Sequence, residues 1–211
     1  MHQNHLELVE DDTGVPPATS EKVNTVLRLA EQGAALTSQL LSFARKQALV
    51  AHDIELSSFL SDFCSMLSRT LGSRISIEVT VEPGLGAVLA DPSHLRNALL
   101  NLAINARDAM PSGGHLKFEA STHAPATSEP VGGDLEGLAV IRVTDTGTGI
   151  APEHLSKVCE PFFSTKGLNG TGMGLSMVYR IIQLHGGEIE VQSTPGRGAA
   201  FRVLLPKSNE R

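Results

Sequence analysis

The chain has 211 residues, 41% of them hydrophobic, with 17 Lys+Arg, 23 Asp+Glu and a formal net charge of −6. That is enough apolar material for a core, so wholesale disorder is excluded, and the length suits one domain plus a short appendage. No apolar run nears the ~18 residues of a membrane helix, the start MHQNHLELVEDD has neither the basic nor the apolar region of a signal peptide, and the acidic balance argues against a nucleic-acid binder.

Cys64 and Cys159 lie far apart and form no metal-ligand spacing. They read as free thiols of a reducing compartment, which predicts a cytoplasmic segment. Most of the 20 glycines lie from Gly113 onward, so the informative loops are expected there.

Residues 1–20 end in DDTGVPPATS, a loop by composition. Over 21–48 the positions Val23, Leu27, Ala30, Ala34, Thr37, Leu41 and Ala44 form a heptad-like seam, with Ser20 as N-cap. The seam suits a helix packed on its own domain, and equally a helix of a dimeric bundle. From residue 53 the pattern mixes helix and strand. Residues 57–71 read as a helix, 74–81 (RISIEVTV) as a half-buried strand, and 92–110 as a second helix opened by Pro92. LKFEA (116–120) and LAVIRVTD (138–145) read as strands, and 121–136 as a surface loop. Residues 173–185 form a helix stopped by Gly186-Gly187. GEIEVQS and AAFRVLL close the chain as strands, joined by the turn Thr194-Pro195-Gly196. This alternation predicts a two-layer α/β sandwich of the α+β class, with helices on one face of a mixed sheet.

Four stretches carry candidate chemistry. On helix 92–110, Asn101, Asn105 and Asp108 fall on one side, about a quarter turn from the stripe Leu95, Leu99, Leu102, Ala106 and Ala109. Such a row is either an ordinary polar face or a set of hard oxygen ligands for Mg²⁺. Asn is a poor helix former, so two of them on one face need a reason. Asp145-Thr146-Gly147-Thr148-Gly149-Ile150 follows a strand directly. It is either a tight turn or an acceptor for an exocyclic amine, beside glycines that let the backbone approach a flat ring. Gly170-Thr171-Gly172-Met173-Gly174-Leu175 opens a helix, whose N-terminal N–H groups suit an anion. It is neither a Rossmann fingerprint nor a Walker A loop. Glu160-Pro161-Phe162-Phe163-Ser164-Thr165-Lys166 is either a hydrophobic plug or the anchor of a mobile segment that brings Lys166 to a terminal phosphate. Residues 164–172 hold three glycines and almost no large apolar side chain. They are expected to be mobile without nucleotide, with Phe162 or Phe163 docked as the hinge.

Together these stretches resemble a known family. NLAINARDAM, DTGTGI, EPFFSTK, GTGMGLSMV and GGEIEVQSTPGRGAAFRVLLP look like the asparagine, first glycine, phenylalanine, second glycine and terminal-strand motifs of sensor histidine kinases. These kinases share their Bergerat-type ATP-binding fold with gyrase and related ATPases. The resemblance covers about residues 53–206. TSQLLSFARKQ is similar to the end of the second helix of the dimerisation and phosphotransfer domain, so 1–50 would be a helical-hairpin remnant and 51–211 the catalytic domain.

The resemblance implies a site. Asn105 would ligate Mg²⁺. Asn101 stands where hydrolytic relatives carry a general-base Glu, which suits a phosphotransferase rather than a hydrolase. Asp145 would read the adenine amino group, with Gly147 and Gly149 lining the base pocket. Gly170, Gly172 and Gly174 would wrap the phosphates, from a lid spanning about 159–173. Asp108, Lys166, Thr171 and Leu175 complete the candidate nucleotide contacts, with Asn101 and Lys166 the candidates for the transfer step. The implied cofactors are ATP and Mg²⁺. The implied partners are a response regulator receiver domain and a second copy joined through helix 21–48. The parent protein can be membrane-anchored.

Two departures stand out. Ala199-Ala200 replace the Thr-Thr that many relatives carry before the last strand's Phe, which removes a hydroxyl that helps hold adenine. No motif like His-Asp/Glu-x-x-Asn, the family's phospho-acceptor, is present. Gln3 follows His2 and Leu6 follows His5, so neither has an adjacent carboxylate. The chain is therefore expected to bind ATP without phosphorylating itself. The alternative reading is a regulatory nucleotide-binding module.

Overall fold

The computed structural model describes residues 26, 50–123, 137–165 and 171–208. The chain falls into two compact units, Met1–Gln47 and Ala48–Arg211. The seam of 21–48, His2 and His5 lie outside the described residues, Val26 excepted.

The second unit opens with β1 (His52–Glu55) and α1 (Leu56–Leu71), followed by β2 (Ile75–Val81), β3 (Ala87–Ala90) and α2 (Pro92–Ala109). Then come β4 (Gly114–Thr122), β5 (Leu138–Asp145), the short α3 (Pro152–Leu155), α4 (Gly174–Leu184), β6 (Glu188–Ser193) and β7 (Ala199–Pro206). The two long helices α1 and α2 start where side chains replace missing backbone partners. Glu55 accepts from the N–H groups of Ser57 at 2.9 Å and Ser58 at 2.7 Å, which holds its carboxyl below the usual range. Asp91 does the same for Ser93 at 2.9 Å and His94 at 3.1 Å, and Pro92 occupies the first turn of α2, where no N–H is needed.

The main sheet runs β2-β4-β5-β7-β6. Only β2 and β4 are parallel, and the other three pairs are antiparallel. Alternation along each strand sends one set of side chains to the helices. Leu116, Phe118, Ile141, Val143, Phe201 and Val203 face the core with Leu60, Phe63 and Leu67 of α1 and Leu95, Leu99 and Leu102 of α2. Phe63 meets Phe118 edge to face, with centroids 5.7 Å apart, and so locks α1 onto β4. The other face carries charge. Lys117 bridges Glu78 and Glu119, and Arg202 pairs with Glu190. The sandwich with helices on one face of a mixed sheet is as expected. The separate β1–β3 ladder, His52↔Ala90 to Glu55↔Ala87, is not. It joins the end of β7 through a bridge from Val88 to Lys207 and a bond from Ser208 N to Ala87 O.

Candidate functional site

Asp145, the last residue of β5, is 5% exposed. Burial pushes its carboxyl above the usual carboxylate range, and two backbone N–H groups oppose that push. Gly147 N donates to Oδ1 at 2.8 Å and Ala199 N donates to the same oxygen at 3.3 Å. Both bonds fall on Oδ1, and among the described residues no hydrogen bond reaches Oδ2, which suits it to meet an outside donor.

The loop after Asp145 is wedged between α2 and the β6–β7 turn. A Cβ on Gly147 would lie 2.7 Å from both Cβ and O of Ala109, at the last turn of α2. Thr148 N donates to that same carbonyl at 3.0 Å. Gly149 has φ +71°, and a Cβ there would run into the Thr194 carbonyl. Gly196 N closes the other side by donating to Thr148 O at 2.7 Å. The glycines at 147 and 149 are thus required by backbone packing as well as by any flat ligand.

Asn101 and Asn105 are brought to the start of α4. A Cβ on Gly174 would stand 3.6 Å from Asn105 Nδ2 and 3.8 Å from Asn101 Oδ1. The first turn of α4 has no side-chain cap and no acidic residue, so among the described residues no side chain offsets its positive dipole end, which suits an anion. Leu175 is half-buried and packs against the core. Thr171 Oγ1 accepts from Met173 N at 3.4 Å. Asp108 Oδ1 accepts from Arg107 Nε at 3.1 Å and Nη2 at 2.9 Å. Among the described residues, no three His, Cys, Asp or Glu side chains stand together to hold a metal. A divalent cation here would rely on carboxamide and phosphate oxygens, a donor set that suits Mg²⁺. Lys166 and Gly170 lie outside the described residues.

The two ends of the 163–171 segment meet. A Cβ on Gly172, at φ +66°, would run into the backbone of Phe162, whose own φ is +67°. Phe162 is exposed, whereas Phe163 is half-buried with its ring 5.4 Å from that of His154. Phe163 is therefore the docked member of the pair.

His185 lies in none of the sequence motifs, and Ser193 and Gly198 lie in the terminal-strand motif with no role assigned to them, yet each braces the site. His185, at the end of α4, accepts from Asp91 N through Nε2 at 2.9 Å, which leaves Nδ1 as the donor to Ile181 O at 2.7 Å. It thereby ties the end of α4 to the cap of α2.

The model of histidine kinase-, DNA gyrase B- and HSP90-like ATPases matches residues 90–209. The chain belongs to this ATPase family. That match spans α2, α4 and strands β4 to β7, hence every candidate site residue. The chain is 40% identical over 182 residues to the sensor kinase CckA of Brucella abortus, covering 84% of this chain and 19% of that protein. The chain thus spans about a fifth of that relative's length. The mycobacterial sensor histidine kinase MprB is 29% identical with a TM-score of 0.61, over 74% of this chain and 97% of that one. Full-length ShkA in complex with AMPPNP is 25% identical with a TM-score of 0.72, over 95% of this chain and 41% of that one. The ATPase domain is of the sensor histidine kinase type. Among its described residues no helix is long and apolar enough to cross a membrane.

Proposed function

We propose that residues 51–211 form the ATP-binding catalytic domain of a sensor histidine kinase, and that 1–50 contribute the end of its dimerisation and phosphotransfer helices. The observation that carries this is Asp145: a buried carboxylate with one oxygen held by backbone and the other left to read an amine. Asp145 Oδ2 accepts from the adenine N6 amine, and Gly147 and Gly149 let the ring lie close to the backbone. Guanine is rejected, because its carbonyl would face the carboxylate.

From Ala109 back to Asn101 the axis of α2 runs about 12 Å, and the triphosphate lies along this stretch. The N-terminus of α4, with Gly172 and Gly174, faces the phosphates. Asn105 holds Mg²⁺ through its carboxamide oxygen. When bound, the ion neutralises the triphosphate and aligns it for in-line transfer. Asn101 has no proton to take from or give to water at neutral pH, so the γ-phosphoryl is kept for a protein nucleophile. That nucleophile is a histidine, from which the group passes to an aspartate of a response regulator. Dimerisation runs through helix 21–48, and the segment works in the cytoplasm.

The test is incubation with γ-labelled ATP, alone and with a complete histidine phosphotransfer domain. Acid-labile label is expected on the added domain and not on the chain itself. Label on neither, with ATP bound, favours a regulatory module. Label on the chain that is lost in His2→Gln or His5→Gln would make it a self-sufficient kinase.

A further inference from the structure

We propose that Ser193 is a positioning residue for adenine recognition, acting on Asp145 through a single peptide plane. The inference rests on the reading of Asp145 above and adds a residue that reading does not use.

Ser193 ends β6 and is half-buried. Its hydroxyl makes two bonds of opposite sense. Oγ accepts from Ile150 N at 2.8 Å and donates to Gly198 O at 2.7 Å. The first bond reaches 43 residues back, to the end of the loop that follows Asp145. The second fixes one end of the peptide unit between Gly198 and Ala199. That unit is planar, and its C=O and N–H point in opposite directions. Holding the carbonyl therefore aims the N–H, and this is the Ala199 N–H that donates to Asp145 Oδ1 at 3.3 Å.

The hydrogen bonds form a chain: Ile150 N–H to Ser193 Oγ, Ser193 O–H to Gly198 O, Ala199 N–H to Asp145 Oδ1. Each link polarises the next. Thr194 N also donates to Gly198 O, but at 3.4 Å. Gly198 has φ +82°, and a Cβ there would collide with the Asp145 carbonyl. A glycine is required for the approach, and a glycine is the residue least able to hold its own peptide plane. The Ser193 hydroxyl supplies that restraint. Without it, the Asp145 carboxylate keeps only the Gly147 bond and can turn, so Oδ2 no longer stands at a fixed place for the N6 amine.

A merely structural role would weaken every nucleotide alike. A positioning role weakens only ligands that use the amine. The experiment measures Mg²⁺-dependent affinity by calorimetry for ATP and for purine riboside triphosphate, which lacks the 6-amino group. The proteins are the native chain, Ser193→Ala, Ser193→Thr and Asp145→Asn. Ser193→Ala is expected to weaken ATP about tenfold and to leave the purine riboside triphosphate within about twofold. Ser193→Thr keeps a hydroxyl and is expected to bind both ligands as the native chain does. Equal weakening of both ligands in Ser193→Ala, or ATP loss in Ser193→Thr matching that in Ser193→Ala, would overturn the proposal. So would native ATP affinity in Ser193→Ala while Asp145→Asn loses ATP alone, which leaves the adenine reading intact. Unchanged ATP affinity in Asp145→Asn overturns the adenine reading, and this inference with it.

Discussion

Replacing Asp145 by Asn tests the adenine site with almost no change of shape. The Asn carboxamide oxygen can take over Oδ1 and accept from Gly147 and Ala199, so both backbone bonds survive. Its amide nitrogen then stands where Oδ2 stood and presents N–H to the N6 amine, donor to donor. The lost interaction is a hydrogen bond to a charged group, about 1.5–3 kcal/mol. At 1.4 kcal/mol per decade this raises the ATP Kd about ten- to hundredfold. The stability of the nucleotide-free fold should move the other way. Burial raises the folded-state pKa of Asp145. The stabilisation from its protonated form is therefore complete below the unfolded value and is lost as pH rises through the folded one. At neutral pH the native chain carries a buried charge that Asn lacks. Calorimetry with ATP and GTP, paired with denaturant titration from pH 4 to 8, reads both effects. Asp145→Asn should bind ATP weakly yet unfold no more easily than the native chain at pH 7. ATP affinity within about threefold of native, or GTP bound by the native chain as well as ATP, would refute the assignment.

Asn105→Ala should abolish Mg²⁺-dependent ATP binding while Asn105→Asp keeps part of it, so a Mg²⁺ titration at fixed ATP that looks native for the alanine variant would remove Asn105 as ligand. His185→Leu strips the acceptor from Asp91 N and the donor from Ile181 O; it should cost about 1–3 kcal/mol in chemical denaturation. Gly147→Ala places a methyl against Ala109, and ATP binding should fall through displacement of the loop, with a Kd equal to native arguing that the loop yields freely. The Cys64 thiol is pushed up to about 12 by burial, so iodoacetamide at pH 7.5 should leave it unmodified in the folded chain, as mass spectrometry of peptides will show.

Long periodic segments were legible in the sequence. The 3.6-residue stripe of α2, with its Pro92 start, and the apolar run of β5 each carry enough repeats to be read alone. Phe118 and Val143 fall on recognisable strands for the same reason. The β1–β3 ladder was not, because four-residue strands such as His52–Glu55 are too short to show a period and their pairing joins distant segments. The site divides in the same way. Asp145, Gly147, Gly149, Asn101 and Asn105 sit inside recognisable motifs. Ser193, Gly198 and His185 act through bonds to backbone atoms, and neither residue type nor local spacing reports such a bond. His185 reaches Asp91 across 94 positions. The turn Thr194-Pro195-Gly196 is legible in the sequence, but the contact of Gly198, two residues on, with the Asp145 backbone is not. Phe162 and Phe163 are indistinguishable in sequence. The structure separates them: Phe162, at positive φ, is exposed, and Phe163 docks against His154.

The contact between Gly172 and the Phe162 backbone has an evolutionary consequence. It joins the two ends of residues 163–171 at one point, a closed clasp. For such a loop, doubling the length adds only about 0.6 kcal/mol of closure entropy. Residues can be inserted or removed between the clasp's two halves at little thermodynamic consequence, while the floor beneath, built on Asp145 and the α2 carboxamides, keeps its form. The length between the two halves can therefore drift between descendants without disturbing the floor.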